Sequence, residues 1–132
     1  MILGTGIDVV SINEFDRLCR DPASRFLDEH FTGDERLYAE KTPGSQVSHL
    51  AAHYAAKESL IKALEGAHLF RPPLVKNINY REIEIQHDPE GRPYFLFSGE
   101  MLRVVSSLKV KASLSISHDG DTAVAMVVLS PL

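Results

Sequence analysis

Two acidic residues occupy positions that the surrounding pattern assigns to small or apolar side chains. Asp8 follows Gly4 and Gly6 on one face of a predicted strand, and Glu58 falls on the apolar stripe of a predicted helix. An ionised carboxylate there is costly unless a cation or hydrogen-bond donors meet it. Without a cysteine cluster, two carboxylates favour a hard cation such as Mg²⁺, which binds one or two carboxylates, waters and substrate phosphates. We therefore consider Asp8 and Glu58 candidate metal ligands.

Lysines lie close to Glu58 in the sequence. Lys57 precedes it, and Lys62 follows one helical turn later, so both are candidate counter-charges for phosphate groups. The chemistry implied is transfer at a pyrophosphate or phosphate ester, with the metal stabilising developing charge. Periodicity alone leaves open an ordinary surface pair between Glu58 and Lys62. It equally leaves open whether His118, at a predicted strand end, belongs to the site or is a structural histidine.

Length and composition exclude several other classes of function. The chain has 132 residues, a formal net charge of −4 and one cysteine, Cys19. We expect a single domain over residues 1–132, no internal disulfide, no signal peptide and a reducing, cytoplasmic setting. The negative charge disfavours general nucleic-acid binding, and no apolar run reaches membrane-spanning length. The G-x-G at residues 4–6 is a weak dinucleotide signal, because the third glycine would fall at Val9.

The elements that must position these residues begin with a strand over residues 2–10. Ser11 to Glu14 reads as a capping box that opens a helix, and Thr32 to Glu35 reads as a second one. Asp21-Pro22 is expected to start a further helical turn between them. The apolar side chains predicted to face inward from the first helix are Ile12, Phe15, Leu18 and Cys19.

A long helix is predicted from about Gln46 to Glu65, with Gly66 as the residue that ends it. Glu58 lies on the apolar stripe of this helix, four residues after Tyr54 and three before Ile61. The other members of the stripe are Val47, Leu50, Ala51, Ala55 and Leu64.

The C-terminal half alternates strands with one helix. Strands are predicted over Asn79–His87 and Pro93–Phe97, a helix over Gly99–Leu108, and a hairpin joining residues 110–118 to Thr122–Leu129. The last strand is apolar on both faces, so one face can meet the long helix and the other calls for a second copy of the protein. The fold class predicted is α+β, an antiparallel sheet wrapped on one long helix with short flanking helices.

Five segments together carry a resemblance to a known family. They are GTGIDVVSINEF at 4–15, FLDEHFTGDE at 26–35, AAHYAAKESLIKAL at 51–64, PEGRPYF at 89–95 and SLSISHDGDTAVAMVVL at 113–129. In this order they resemble the holo-(acyl-carrier-protein) synthases, the small trimeric 4′-phosphopantetheinyl transferases. The resemblance spans nearly the whole chain, and the pairing of G-I-D with A-A-K-E and S-I-S-H is specific.

The resemblance implies a reaction and its residues. Members of the family move 4′-phosphopantetheine from coenzyme A to a serine of an apo acyl carrier protein and release adenosine 3′,5′-bisphosphate. Asp8 and Glu58 correspond to the Mg²⁺ ligands, and Lys62 to the lysine that offsets the pyrophosphate charge. The base is left open between Glu58 and a water held by the metal. The residues implied to lie near the coenzyme are Lys57, Lys62, Gly66, His53 and, from an adjacent subunit of a homotrimer, His118.

Several positions depart from the family pattern. His53 stands where an arginine is usual, Glu14 stands where an arginine commonly contacts the acidic carrier, and the glycine-rich loop is reduced to Gly66. Arginines at 17, 20 or 25 are alternative carrier contacts. The changes at His53 and Glu14 keep open a non-catalytic relative that binds coenzyme A or a carrier. A different Mg²⁺-dependent phosphoesterase using the same site is a third hypothesis. The sequence does not identify the carrier, whether of fatty-acid, polyketide or other synthesis.

Overall fold

The computed structural model describes residues 1–132 and alternates helices with two small antiparallel sheets. None of the helices is both long and apolar enough to cross a membrane. In chain order the elements are β1 Gly4–Ser11, α1 Ile12–Arg20, α2 Phe26–His30, α3 Gly33–Lys41, α4 Gln46–Gly66, a 3₁₀ turn Tyr80–Glu82, β2 Ile83–His87, β3 Pro93–Phe97, α5 Gly99–Leu108, β4 Val110–Asp119 and β5 Thr122–Pro131.

The main sheet has the order β1-β5-β4, and β2 pairs with β3 in a separate hairpin. All pairs are antiparallel, and the register places Asp8 opposite Ala125, which in turn lies opposite Ile116. Helix α4 packs across the main sheet and contacts α1, α3 and β2 as well. The structure therefore confirms the predicted α+β class, an antiparallel sheet wrapped on one long helix. The single-domain organisation over residues 1–132 stays a prediction.

Helix α4 lies directly on β1 because two glycines remove the side chains between them. A Cβ at Gly6 would lie 1.8 Å from the carbonyl oxygen of Ser59, and one at Gly4 would lie 2.3 Å from that of Ala63. The buried Ser59 hydroxyl donates to the Ala125 carbonyl at 3.0 Å and so links α4 to β5. This close contact sets the distance between the strand that carries Asp8 and the helix that carries Glu58.

We expect Gly6→Ala to destabilise the protein by about 3 kcal/mol, because the added methyl group meets helix backbone that cannot rotate away. Urea unfolding monitored by circular dichroism measures the change. Gly33→Ala is the matched control, since nothing lies within 4 Å of a Cβ at Gly33. Equal stabilities of the two variants would contradict the tight contact.

The prediction of a single apolar stripe on α4 is wrong, because the helix is buried on nearly all sides. Its small residues let the main sheet approach one side, while α3 and β2 pack elsewhere on the helix and Tyr80 of the 3₁₀ turn hydrogen-bonds to Lys57 and Glu58. Three polar side chains, His53, Lys57 and Ser59, are buried with the apolar ones. The apolar residues buried along the helix are Leu50, Ala51, Ala52, Ala55, Ala56, Leu60, Ala63 and Leu64.

Two predicted details of the long helix and the first helix need correction. Gly66 lies inside the last turn of α4, and the Ala67 N–H closes that turn on the Ala63 carbonyl at 3.0 Å with a right-handed backbone. No left-handed glycine is therefore needed to end the helix. Leu18, predicted to face inward, is 44% exposed, because α1 packs through Ile12 and Phe15.

Other boundaries shift for local reasons. The segment after Asp21-Pro22 stays irregular until α2 begins at Phe26, and the first strand begins at Gly4. The N-terminal part of the predicted strand 79–87 is a 3₁₀ turn, because the Asn79 side chain accepts a hydrogen bond from the Arg81 N–H and caps it. The Thr32 capping box is confirmed with both of its hydrogen bonds. Ser11 caps α1 by accepting from the Glu14 N–H.

Candidate active site

Asp8 and Glu58 line one open cavity of about 300 Å³. Strand β1 supplies Asp8, and α4 supplies Glu58 together with Tyr54. The glycine contacts between β1 and α4 bring these two elements together. The strand face that carries Gly4, Gly6 and Asp8 therefore faces the helix. The other residues of the lining are Val9, Val10, Ser11, Glu14, Phe15 and Leu18.

Lys62 pairs with Asp8 rather than with Glu58. Its ammonium donates to Asp8 Oδ1 at 3.1 Å and to the Ile7 carbonyl at 3.0 Å. The proposed surface pair between Glu58 and Lys62 does not form. The Lys62 side chain is 54% exposed, and an ion pair with that exposure contributes little stability. Moving the Lys62 ammonium away from Asp8 therefore costs the folded protein little stability.

Glu58 is held by a residue that the sequence analysis did not single out. The Tyr80 hydroxyl donates to Glu58 Oε1 at 2.6 Å from the 3₁₀ turn. Burial, followed by the charges of Glu58 and Asp8, raises the pKa of Tyr54 to about 12. Burial and the hydrogen bond to Glu58 likewise raise the pKa of Tyr80. Both tyrosines are therefore neutral near pH 7. The sequence held no signal for this contact, because Tyr80 and Glu58 are 22 residues apart.

The donor chemistry of this cavity fits a magnesium ion. No group of three or more His, Cys, Asp or Glu side chains is arranged to hold a metal ion. Two carboxylates nevertheless suit Mg²⁺, which keeps several waters and completes its shell with substrate phosphates. Asp8 Oδ1 already meets a cationic ammonium, and the cavity is open to solvent-sized molecules. Asp8 and Glu58 are thus the residues that would hold the ion.

A second polar cluster is buried beside α4, around the residue that directly precedes Glu58. Lys57 is fully buried, and its ammonium donates to the carbonyls of His30 and Tyr80 and to Glu35 Oε1 at 2.7 Å. An ammonium has three N–H donors, so all of them are used inside the protein. Lys57 as placed has none left for a phosphate, which corrects its predicted role in coenzyme binding.

Glu35 also accepts a hydrogen bond from His53, whose Nδ1 lies 3.0 Å from Oε2. Burial acts to raise the pKa of Glu35, but the His53 hydrogen bond and the Lys57 charge outweigh it, so the pKa lies below its ordinary value. His53 is 1% exposed and its Nε2 has no hydrogen-bond partner. The cluster of Glu35, His53 and Lys57 therefore joins α3 to α4.

His53 and His118 line a different cavity, of about 230 Å³, from the one that contains Asp8 and Glu58. His49 and His87 also line it, and the His87 ring stacks on Tyr38 with 3.9 Å between centroids. The structure thus brings the two predicted coenzyme histidines together but separates them from the two acids within one chain. Gly66 lines neither of these two cavities.

We expect His87 to make stability depend on pH. Burial, followed by the neighbouring histidines His53 and His49, lowers its pKa from 6.5 to about 4 in the folded protein. The unfolded chain therefore takes up this proton first, so stability is full above about pH 6.5 and declines as the pH falls toward 4. His87→Phe keeps a ring on Tyr38 and should flatten this decline in urea unfolding series. His68→Phe, in the loop after α4, is the control; an unchanged slope in His87→Phe would contradict the expectation.

Comparisons with known proteins identify the family and the fold. Residues 4–127 match the model of the 4′-phosphopantetheinyl transferase superfamily. A holo-(acyl-carrier-protein) synthase of Mycolicibacterium paratuberculosis is 38% identical over 128 residues, covering 97% of this chain and 96% of the relative. A solved ACPS–CoA complex from Chronobacterium ammoniagenes has a TM-score of 0.90 at 36% identity and covers 98% of this chain and 97% of that one. The apo structure of the same enzyme gives a TM-score of 0.87 at 38% identity, covering 95% and 94%.

Proposed function

Because the chain belongs to the holo-(acyl-carrier-protein) synthases of the 4′-phosphopantetheinyl transferase superfamily, we propose that it transfers 4′-phosphopantetheine from coenzyme A to a serine of an apo acyl carrier protein. We further propose that transfer depends on Mg²⁺ and releases adenosine 3′,5′-bisphosphate. The single observation that carries this is the cavity in which Asp8 and Glu58 lie together, with Lys62 against Asp8.

The proposed reaction exchanges one phosphorus–oxygen bond for another. The carrier serine oxygen attacks the β-phosphorus of coenzyme A, and the bond from that phosphorus to the bridging oxygen breaks. Adenosine 3′,5′-bisphosphate leaves with this oxygen, and the serine proton passes to Glu58 or to water. Asp8 and Glu58 would hold the metal, and Lys62 would pair with the pyrophosphate. When bound, Mg²⁺ would stabilise the negative charge that develops on the phosphate oxygens.

The coenzyme would extend from this cavity to other predicted contacts. Lys62 lies against Asp8, and its side chain is exposed, so a phosphate group can reach its ammonium. His118 and His53 line the second cavity, and Gly66 ends α4, so these three stay proposed coenzyme contacts. In the solved ACPS–CoA complex the relative binds this coenzyme.

We propose a homotrimer in which active sites lie between neighbouring subunits. On β1 and β5 the outer face of the main sheet is apolar and open: Ile7, Val9 and Met126 are each about half exposed or more. Val9 also lines the cavity of Asp8 and Glu58, so a subunit packed on this face would reach the site. Light scattering on the purified protein checks this: three copies are expected, and a monomer would contradict it.

One observation favours the alternative of a relative that binds without transferring. Glu14 adds a third acid to the cavity of Asp8 and Glu58, at a position where family members commonly have an arginine that contacts the acidic carrier. Such a relative would bind coenzyme A tightly and modify no carrier. The cytoplasmic setting and a role in fatty-acid synthesis also stay predictions.

Intact-mass spectrometry tests transfer directly. An apo carrier protein of fatty-acid synthesis is incubated with this protein, coenzyme A and Mg²⁺, and its mass is compared with a sample containing a chelator. We expect the carrier to gain one phosphopantetheine group in the first sample only. Tight coenzyme binding without a mass gain on any carrier would instead favour the non-catalytic relative.

A further inference from the structure

Tyr80 binds two consecutive residues of α4, one through its backbone carbonyl and the other through its side-chain hydroxyl. The buried Lys57 ammonium donates to the Tyr80 backbone carbonyl at 3.0 Å. The Tyr80 hydroxyl donates to the Glu58 carboxylate at 2.6 Å. Helix α4 therefore binds both the main chain of the 3₁₀ turn and the tip of its tyrosine side chain.

The Tyr80 ring also lies against two other aromatic rings. Its centroid lies 4.5 Å from that of His30 and 6.3 Å from that of Tyr54. The next residue of the turn, Arg81, donates from its side chain to the Asp28 carbonyl at 2.9 Å. The backbone hydrogen bond, the ring contacts and the Arg81 hydrogen bond thus fix the position of the hydroxyl independently of Glu58.

We propose that Tyr80 is a positioning residue for Glu58, whose hydroxyl holds Oε1 so that the carboxylate is presented to the Asp8 cavity in one orientation. A carboxylate at the end of a flexible side chain loses rotational freedom when it binds an ion, and a fixed donor removes part of that cost in advance. Hydrogen-bond partners of metal ligands commonly change metal affinity or activity by about 10- to 100-fold.

The buried cluster of Glu35, His53 and Lys57 supports this arrangement through the backbone of the 3₁₀ turn. Lys57 is fully buried and has no donor left for a substrate, so one of its three hydrogen bonds serves to hold Tyr80. This explains why a buried lysine directly precedes Glu58: both side chains hydrogen-bond to Tyr80 of the 3₁₀ turn from adjacent positions of α4.

The inference rests on the proposed magnesium site, and the test separates the two. Binding of Mn²⁺ to the full-length protein without coenzyme is measured by the loss of the free Mn²⁺ signal in electron paramagnetic resonance. We expect Tyr80→Phe to weaken binding by about 10-fold. Tyr94→Phe, on the half-exposed β3, should bind as the wild type does. Wild-type protein that binds no Mn²⁺ overturns the metal site and this inference together; equal binding by wild type and Tyr80→Phe overturns the inference alone.

A double-mutant cycle distinguishes positioning from a general loss of stability. If Tyr80 acts through Glu58, Tyr80→Phe lowers kcat of the wild-type enzyme but has no further effect on the residual rate of Glu58→Ala, which lacks the hydrogen-bond acceptor. We also expect the KM for coenzyme A to change less than kcat, because the ring and backbone contacts remain. An equal fall of kcat in both backgrounds would mean that Tyr80 acts elsewhere and would overturn the proposal.

Discussion

Glu58→Gln should lower the rate of phosphopantetheine transfer by on the order of 10³-fold while leaving the fold intact. The amide has nearly the same shape and can still accept the Tyr80 hydrogen bond through its oxygen. It carries no charge, however, so it is a much weaker ligand for a hard cation. The initial rate of carrier modification at saturating coenzyme A and Mg²⁺ measures the effect, with circular dichroism as the check on folding.

The same loss is expected for Asp8→Asn, because the two carboxylates contribute to one site. Glu90→Gln is the matched control, since Glu90 lies in the exposed turn between β2 and β3, away from the cavity. Transfer at the wild-type rate by both Glu58→Gln and Asp8→Asn would mean that these acids are not the metal ligands. The reaction would then need another site.

Lys57→Met should destabilise the protein by about 4 kcal/mol, the second large effect that we expect. Methionine fills much of the same volume but removes the ammonium that pairs with the buried charge of Glu35. It also removes the hydrogen-bond donor of the His30 and Tyr80 carbonyls. A buried charge without its partner costs far more than an exposed one. Urea unfolding near pH 7 measures the loss, and the transfer rate at low denaturant reports the effect on Glu58.

Two further variants identify the source of the loss. Lys111→Met removes an exposed lysine from β4 and should change stability little. Adding Glu35→Gln to Lys57→Met should recover part of the stability, because the unpaired carboxylate is neutralised. If Lys57→Met is as stable as the wild type but binds coenzyme A weakly, Lys57 faces the coenzyme as the family resemblance implied, and the structural role assigned to it is wrong.

Features that depend on neighbours along the chain were predictable from the sequence. The Thr32 capping box, the strand Pro93–Phe97, the helix Gly99–Leu108 and the final hairpin all depend on residues within a few positions of one another. The position of Gly4 and Gly6 on the same strand face as Asp8 was predictable as well, because alternate residues of a strand point to one side. In the structure the backbone of α4 lies against this face.

Contacts between distant segments were not predictable in the same way. Glu35 appeared only as the acid of a capping box, yet its side chain also accepts from His53 and Lys57, 18 and 22 residues away. Tyr80 lay in a predicted strand, and nothing in its neighbourhood indicated that its hydroxyl meets Glu58. Helical periodicity put Glu58 on the apolar stripe and gave no sign that Lys57 is buried, because a helix buried on nearly all sides has no single apolar stripe.

The most direct test of the account counts both products of one reaction. Purified protein, apo carrier and coenzyme A are mixed without metal, the reaction is started with Mg²⁺, and modified carrier and free adenosine 3′,5′-bisphosphate are measured in the same samples over time. We predict that the two products appear together in equal amounts and only after Mg²⁺ is added. Release of the bisphosphate without carrier modification would point to a phosphoesterase, and neither product with any carrier tested would contradict the transferase.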